Sequence, residues 1–232
     1  MNKLLLPFAL LFCMQWSYSQ EQDADNTELD SNYKEDQFYV GVTYNLLKQK
    51  PSGVSQSGFS SGFHFGFIKD MPINKKRNVA IGAGLGASIN SFNQNMLIDK
   101  QDGEYVYSVL NDNETPYSKN KFTHYLIEAP IEFRWRTSTP SEYKFWRVYT
   151  GIKIGYLVAN SSKFIGNSNS IKLSNITDFN KLQYGFTLSA GYNTWNVHLY
   201  YALNSIFNND AQISNEELNM SAVKIGLIFY IL

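Results

Sequence analysis

Cysteine is almost missing from this 232-residue chain, and its single example, Cys13, sits inside the N-terminal apolar run. Phe12 stands before it, where a lipoprotein signal wants a small residue, so lipidation is not expected. Once residues 1–19 are removed no thiol is left, which excludes disulfides, iron–sulfur clusters, thiolate metal sites and cysteine catalysis. Long hydrophobic runs are lacking too. No window past the N-terminus holds 18 apolar residues, so no transmembrane helix is expected. Nor is there charge of one sign: 20 basic residues balance 20 acidic ones, and no basic run offers a face to nucleic acid. Histidine is scarce, and His64, His124 and His198 have none of the His-x-x-x-His spacing of a ligand pair. No metal and no cofactor is expected.

What is present begins with MNKLLLPFALLFCMQWSYSQ. Lys3, the apolar run 4–14 and the small residues Ser17 and Ser19 read as a secretory signal peptide, residues 1–19, cleaved after Ser19. The run is too short to span a bilayer as a helix. An exported chain of this kind is periplasmic, secreted, or a barrel. Residues 20–37 carry Glu21, Asp23, Asp25, Glu28, Asp30, Glu35 and Asp36 against Lys34 alone, and bury too little apolar surface to fold, so they read as a solvated, disordered periplasmic tail.

From residue 38 the pattern changes to period two. In the stretch 125–136, Tyr125, Ile127, Ala129, Ile131, Phe133 and Trp135 fall on one face of an extended strand and Glu128, Glu132, Arg134 and Arg136 on the other. Seven further stretches alternate alike, near 38–46, 59–68, 79–89, 146–159, 182–192, 195–203 and 223–232. That makes eight strands, an even number and enough to close. Which face points inward is decided by charge and glycine. No charged residue lies on the apolar face of any stretch, and eleven of the fifteen glycines lie on the polar face. A soluble sandwich tolerates outward glycine poorly, because glycine weakens a strand and packs nothing. An eight-stranded barrel has an interior just wide enough for side chains to fill, where small residues make room for long ones. The fold predicted for residues 38–232 is therefore all-β: an eight-stranded antiparallel up-and-down transmembrane barrel in the outer membrane, its oily face against lipid. Connections at 48–58, 69–78, 92–124, 137–145, 160–181, 193–194 and 205–222 suit short periplasmic turns alternating with longer extracellular loops, with both termini periplasmic. Trp135, Trp146, Tyr192, Trp195 and Phe229 then form an aromatic girdle at the periplasmic interface, joined by Phe38 and Phe67.

Parity sends Glu128, Glu132, Arg134, Arg147, Lys153 and Lys224 into a lumen where an unpaired charge is costly. If Trp135 pairs with Trp146 across the hairpin, Glu128 faces Lys153 and Glu132 lies diagonal to Arg147. The leading reading is a salt-bridge plug that closes the barrel, and the alternative is a selective polar path for small solutes. The three histidines also face inward, as lumen hydrogen-bonding groups. Catalysis needs a nucleophile and base within reach of each other, and Ser91, Asp99, Asp102, Ser108 and Asp112 in the outer segments have no defining spacing, so no enzyme is expected. Pro130, inside a strand, predicts a bulge or local break. Loops 92–124 and 160–181, rich in Asn, Ser, Asp and Tyr, are long enough to bind a partner.

The segment Ile127-Glu128-Ala129-Pro130-Ile131-Glu132-Phe133-Arg134-Trp135 resembles the Leu-Glu-Ile-Pro-Leu-Leu-Leu-Lys-Tyr strand of the PorT-like outer-membrane β-barrel family of Bacteroidota. Lys69-Asp70-Met71-Pro72-Ile73 is similar to the first periplasmic turn of that family, and the glycine-rich third strand agrees as well. The likeness spans roughly residue 38 to the C-terminus. Glu132 departs from it, since an apolar residue is usual there. Lys224-Ile225-Gly226-Leu227-Ile228-Phe229-Tyr230-Ile231 looks like the polar–Gly–aromatic signal read by the barrel assembly machinery, although the chain ends in Leu232 instead of an aromatic. Some PorT-like members take part in type IX secretion and gliding. The resemblance implies a structural or accessory barrel, a subunit of a larger envelope machine with other outer-membrane or periplasmic proteins as partners, and it brings no catalytic residue with it. A narrow porin is the runner-up.

Overall fold

The computed structural model describes residues 36–111, 115–137, 145–167 and 169–231. The expected signal peptide 1–19 lies outside the described residues, as does the expected tail apart from Asp36 and Gln37. In chain order the strands are β1 (Gln37–Lys48), β2 (Ser61–Pro72), β3 (Val79–Asn93), β4 (Met96–Gln101), β5 (Glu104–Val109), β6 (Tyr117–Arg136), β7 (Trp146–Gly166), β8 (Ser170–Ser174), β9 (Leu182–Tyr192), β10 (Trp195–Ala202), β11 (Gln212–Ile213), β12 (Glu216–Glu217) and β13 (Ser221–Ile231). Eight of them, β1, β2, β3, β6, β7, β9, β10 and β13, pair antiparallel with their neighbours in that order, and β13 returns to β1. The ring is closed, so every ladder finds a partner and no bare edge meets lipid.

Burial is inverted relative to a soluble protein. Phe63, Ile152 and Leu227 are exposed on the outside, whereas Glu128, Lys153, Arg134 and Arg136 are buried within. The inward glycines earn their place through the side chains beside them. A Cβ on Gly66 would meet the Tyr39 ring at 2.7 Å, one on Gly86 would strike the Tyr39 hydroxyl, and one on Gly185 would meet Tyr200 at 2.7 Å. Large inward rings thus lie over glycines, which is how eight strands enclose tyrosine and arginine.

The turns 73–78 and 193–194 share one end of the barrel with the end of β6, the start of β7, the start of β1 and the end of β13. Asn193, with φ of 55°, supplies the left-handed residue of the two-residue turn. At that end the predicted girdle residues sit on the outer wall in touching pairs: Trp146 with Tyr192 at 5.3 Å, Trp195 with Phe229 at 5.2 Å and Phe38 with Phe67 at 5.1 Å between ring centroids. Trp135 is exposed on the same wall.

Strand lengths differ from the sequence reading. β2 runs on through Asp70 to Pro72, so Lys69–Pro72 is strand and the turn starts at Ile73. Gln37, read as tail, opens β1. Most of the segments read as loops 92–124 and 160–181 is also strand, because β3 and β6 continue past the bilayer to pair Asn93 with Lys121, and β7 extends to Gly166 to take on β8. Ser91 is accordingly a residue of β3. Period-two reading stopped short because the faces exchange character there: Phe92, Phe122 and Phe164 now point inward while Lys121 and Lys163 stand on the outer wall.

The exchange coincides with a bulge. Tyr125 pairs with Ala159 but Leu126 with Leu157, leaving Val158 as an extra residue in β7. Below it Arg147, Tyr149, Lys153 and Leu157 are buried, and above it Asn160, Ser162 and Phe164. Pro130 itself carries no bulge. It keeps its pairing with Lys153 on β7, but the β3 ladder skips from Ala83–Ile131 to Gly86–Glu128, as expected of a residue with no N–H to donate. The hairpin register differs as well: Trp135 pairs with Val148, and Arg136 with Arg147.

Candidate functional site: the barrel lumen

At the turn end of the lumen, Asp70 is gripped by two arginines. Its Oδ1 accepts from Arg134 at 3.0 Å and from Arg136 at 2.9 Å, and its Oδ2 accepts a second Arg136 bond at 2.8 Å. Arg134 also donates to Gln37 at 2.7 Å and pairs with Glu132 at 3.3 Å. The Asp70 amide donates to the Asp36 carboxylate at 2.7 Å, tying the start of the described chain to the same cluster. Tyrosines cover these charges. The Arg134 guanidinium stacks 4.2 Å from the Tyr149 ring centre, and Arg147 lies over Phe145 at 4.5 Å with Tyr230 at 5.6 Å.

Mid-lumen, Glu128 is the hub. It pairs with Lys153 at 3.4 Å, lies 3.5 Å from His64 Nδ1, and accepts the Ser88 hydroxyl at 2.7 Å. His64 reaches Thr43 on its other nitrogen at 3.1 Å. His198 Nδ1 is 2.7 Å from Ser189 Oγ, which also accepts from the Tyr230 hydroxyl at 3.3 Å. Such a serine–histidine contact is one component of nucleophilic chemistry, but both groups are buried in the filled lumen. Lys224 lies over the Tyr200 ring at 4.7 Å.

Toward the loop end the filling turns apolar. Leu47, Phe92, Phe122, Leu126 and Leu157 from the wall meet Met96, Ile98 and Tyr107 from the β4–β5 hairpin, Ile176 and Phe179 from the segment before β9, and Ile206, Phe207, Ile213, Leu218 and Met220 from the segment before β13. Ring contacts bind the layer together, with Phe179 and Phe207 centroids 4.7 Å apart and His124 edge-on to Phe179 at 4.4 Å. The Tyr107 hydroxyl donates to Asp178 at 2.8 Å, and burial, with the Asp178 carboxylate second, pushes its phenol above the usual range. The segments 94–111, 175–181 and 203–220 therefore fold down into the mouth as a lid.

All six predicted lumen charges are buried together. The pairing within them differs from the sequence reading because the hairpin is offset by two residues: Lys153 lies opposite Pro130 and reaches Glu128 diagonally. Glu132 takes Arg134 as partner instead of Arg147, and among the described residues no carboxylate forms an ion pair with Arg147 or Lys224. The histidines all face inward without gathering: His64 and His198 lie 6.5 Å apart between centroids, and His124 belongs to the apolar layer. Sequence reasoning missed Asp70 and the inward partnership of Arg136. The available signal was the alternation of outward Phe67 and Met71 with inward Ile68 and Asp70, which runs two residues past the strand end assumed.

Residues 18–208 match the family described as Outer membrane protein beta-barrel domain. The chain belongs to that family. This outer-membrane barrel is also similar to a solved structure, that of Ail, the attachment invasion locus protein of Yersinia pestis, at 14% identity over 85% of this chain and 97% of that chain, with a TM-score of 0.36. No curated protein matches the chain. The family match ends before β13, the strand that closes the ring onto β1. Membership places the barrel in the outer membrane, with lipid against its exposed Phe, Ile and Leu wall.

Proposed function

We propose that this barrel is a non-enzymatic, non-conducting structural or accessory subunit of an envelope complex. The observation that carries the proposal is the filling of the lumen along its length: the Asp70–Arg134–Arg136 cluster at one end, the Glu128 hub in the middle and the apolar lid at the other. A cylinder closed in this way offers its rims and its outer wall, so its work is done through contacts. The PorT-like strand pattern at 127–135 suggests the kind of assembly, an envelope machine such as that of type IX secretion or gliding. Purified protein in planar bilayers is expected to give no stepwise openings. A pull-down from native membranes through a tag after the signal peptide is expected to bring a stoichiometric partner, and the barrel coming down alone would count against the accessory role.

A second reading, a narrow porin, draws on one observation. The buried lumen holds Arg134, Arg136, Arg147, Lys153 and Lys224 against Asp70, Glu128 and Glu132, five basic side chains to three acidic ones. Steady anion-selective openings in the same bilayer recording would establish this reading and remove the plug.

A further inference from the structure

Above the bilayer the outer wall carries an unusual alignment of like charges. Lys121 of β6 pairs in register with Lys163 of β7, and Lys163 with Lys172 of β8, so three lysines stand abreast on adjacent strands. Lys119 lies two residues further along β6 on the same face. Lys119, Lys163 and Lys172 are exposed and Lys121 half-buried. Like charges directly opposite each other weaken a sheet. Among the described residues none of the four forms an ion pair with a carboxylate.

Height above the membrane narrows the choice of counter-charge. The outward apolar residues of β6 run from Trp135 at the turn end to Tyr125 at the other. Ten residues at about 3.3 Å each, on a strand tilted by roughly 40°, span about 25 Å, the height of the apolar band of such barrels. Lys121 is four residues beyond Tyr125, which puts the row roughly 10 Å above the band, at headgroup level. Just below the row the Val158 bulge opens a recess of about 210 Å³, lined by Val158, Ala159, Asn160, Ile176 and Thr177 and flanked by Lys181. It offers apolar surface from Val158 and Ala159, and the exposed Asn175 amide and Thr177 hydroxyl beside it, the Asn160 amide being held by the Ile176 backbone.

We propose that the Lys119–Lys121–Lys163–Lys172 face, with the recess beneath it, binds the phosphorylated sugar headgroup of an outer-leaflet glycolipid. Phosphate places negative charge between lysines of neighbouring strands, and the sugar occupies the recess beside Asn175 and Thr177. The site lies on the wall outside the lumen, so it stands whether or not the barrel conducts.

The test uses the full folded chain in nanodiscs of zwitterionic phospholipid doped with a bisphosphorylated glucosamine-disaccharide lipid, or with the same lipid after enzymatic dephosphorylation. Native mass spectrometry reads the glycolipid retained. The wild type is expected to retain the phosphorylated form about tenfold better, and the variant K121S/K163S/K172S to lose that preference. A K121R/K163R/K172R variant keeps the charge and is expected to keep the preference, which separates charge from damage to the sheet. Heat-dependent gel mobility confirms that each variant is folded. Equal retention of both lipids by the wild type, or an undiminished preference in the serine variant, overturns the proposal. So does full competition by millimolar inorganic phosphate, which would mark a general anion patch with no use for the sugar.

Discussion

The lower and upper parts of this barrel share the same strands but obey opposite rules. Within the bilayer the lumen is ionic and the outer wall apolar, so Arg134 and Glu128 are buried while Ile131 and Phe133 meet lipid. Above it the lumen is apolar and the outer wall basic, with Phe92 and Phe122 inside and Lys163 outside. The difference teaches that no property of the strand itself decides which residues turn inward. The surrounding solvent decides, and the lumen takes whatever the outside refuses. Where the outside is oil, polar groups must satisfy one another inside. Where it is water, the ordinary hydrophobic drive returns and the mouth fills with Phe179, Phe207 and their neighbours.

The two regions are expected to fail differently. Asp70→Ala leaves Arg134 and Arg136 without their shared carboxylate in a fully buried site, and should destabilise the barrel by about 3–5 kcal/mol, read as a lowered midpoint of urea unfolding in phospholipid vesicles. A midpoint close to that of the wild type would show that water or lipid headgroups solvate the arginines. Phe122→Ala removes the ring on which Phe92, Phe179 and Phe207 converge, with an expected loss of about 3 kcal/mol. Its signature should be local, with faster proteolysis in the segments 175–181 and 203–220 while the strands within the bilayer stay resistant. Simultaneous loss of both would mean that lid and barrel unfold as one. The third comparison stays on one face of β6. Ile131→Lys puts a charge near mid-bilayer on the lipid side and should cost about 2–4 kcal/mol in the same vesicle assay. Lys121→Leu, ten residues away on the water side, is expected to stay within about 0.5 kcal/mol of the wild type.

The lower region was legible from residues alone because lipid imposes a strict period of two. Tyr125 to Trp135 could be assigned outward, and Glu128, Lys153 and Lys224 inward, without any structure. Register was not legible to the same degree. Trp135 and Trp146 look like natural partners, yet both belong to the interface through lipid and not through each other, and the register pairs Trp135 with Val148. The lid was out of reach for a different reason. Ile176, Phe179, Ile206, Phe207 and Leu218 sit in segments of irregular spacing, where neither helical nor strand period marks a buried face. Their company of Asn, Ser and Asp reads as solvated loop, and part of that polarity is in fact internal wiring: Asn160 and Asn180 bond the backbone of the segments that fold over them.

A ladder can slip by two residues and keep every side chain on its proper side, and straight stretches of sheet resist such sliding only weakly. Val158 restricts that freedom at the seam between β6 and β7, since any slide of the pair would have to carry the extra residue to a new place in the ladder. For a closed cylinder of fixed strand number, the stagger accumulated around the ring sets the diameter. A single valine thus helps to hold the bore of the pipe, at the height where its filling changes from ions to rings.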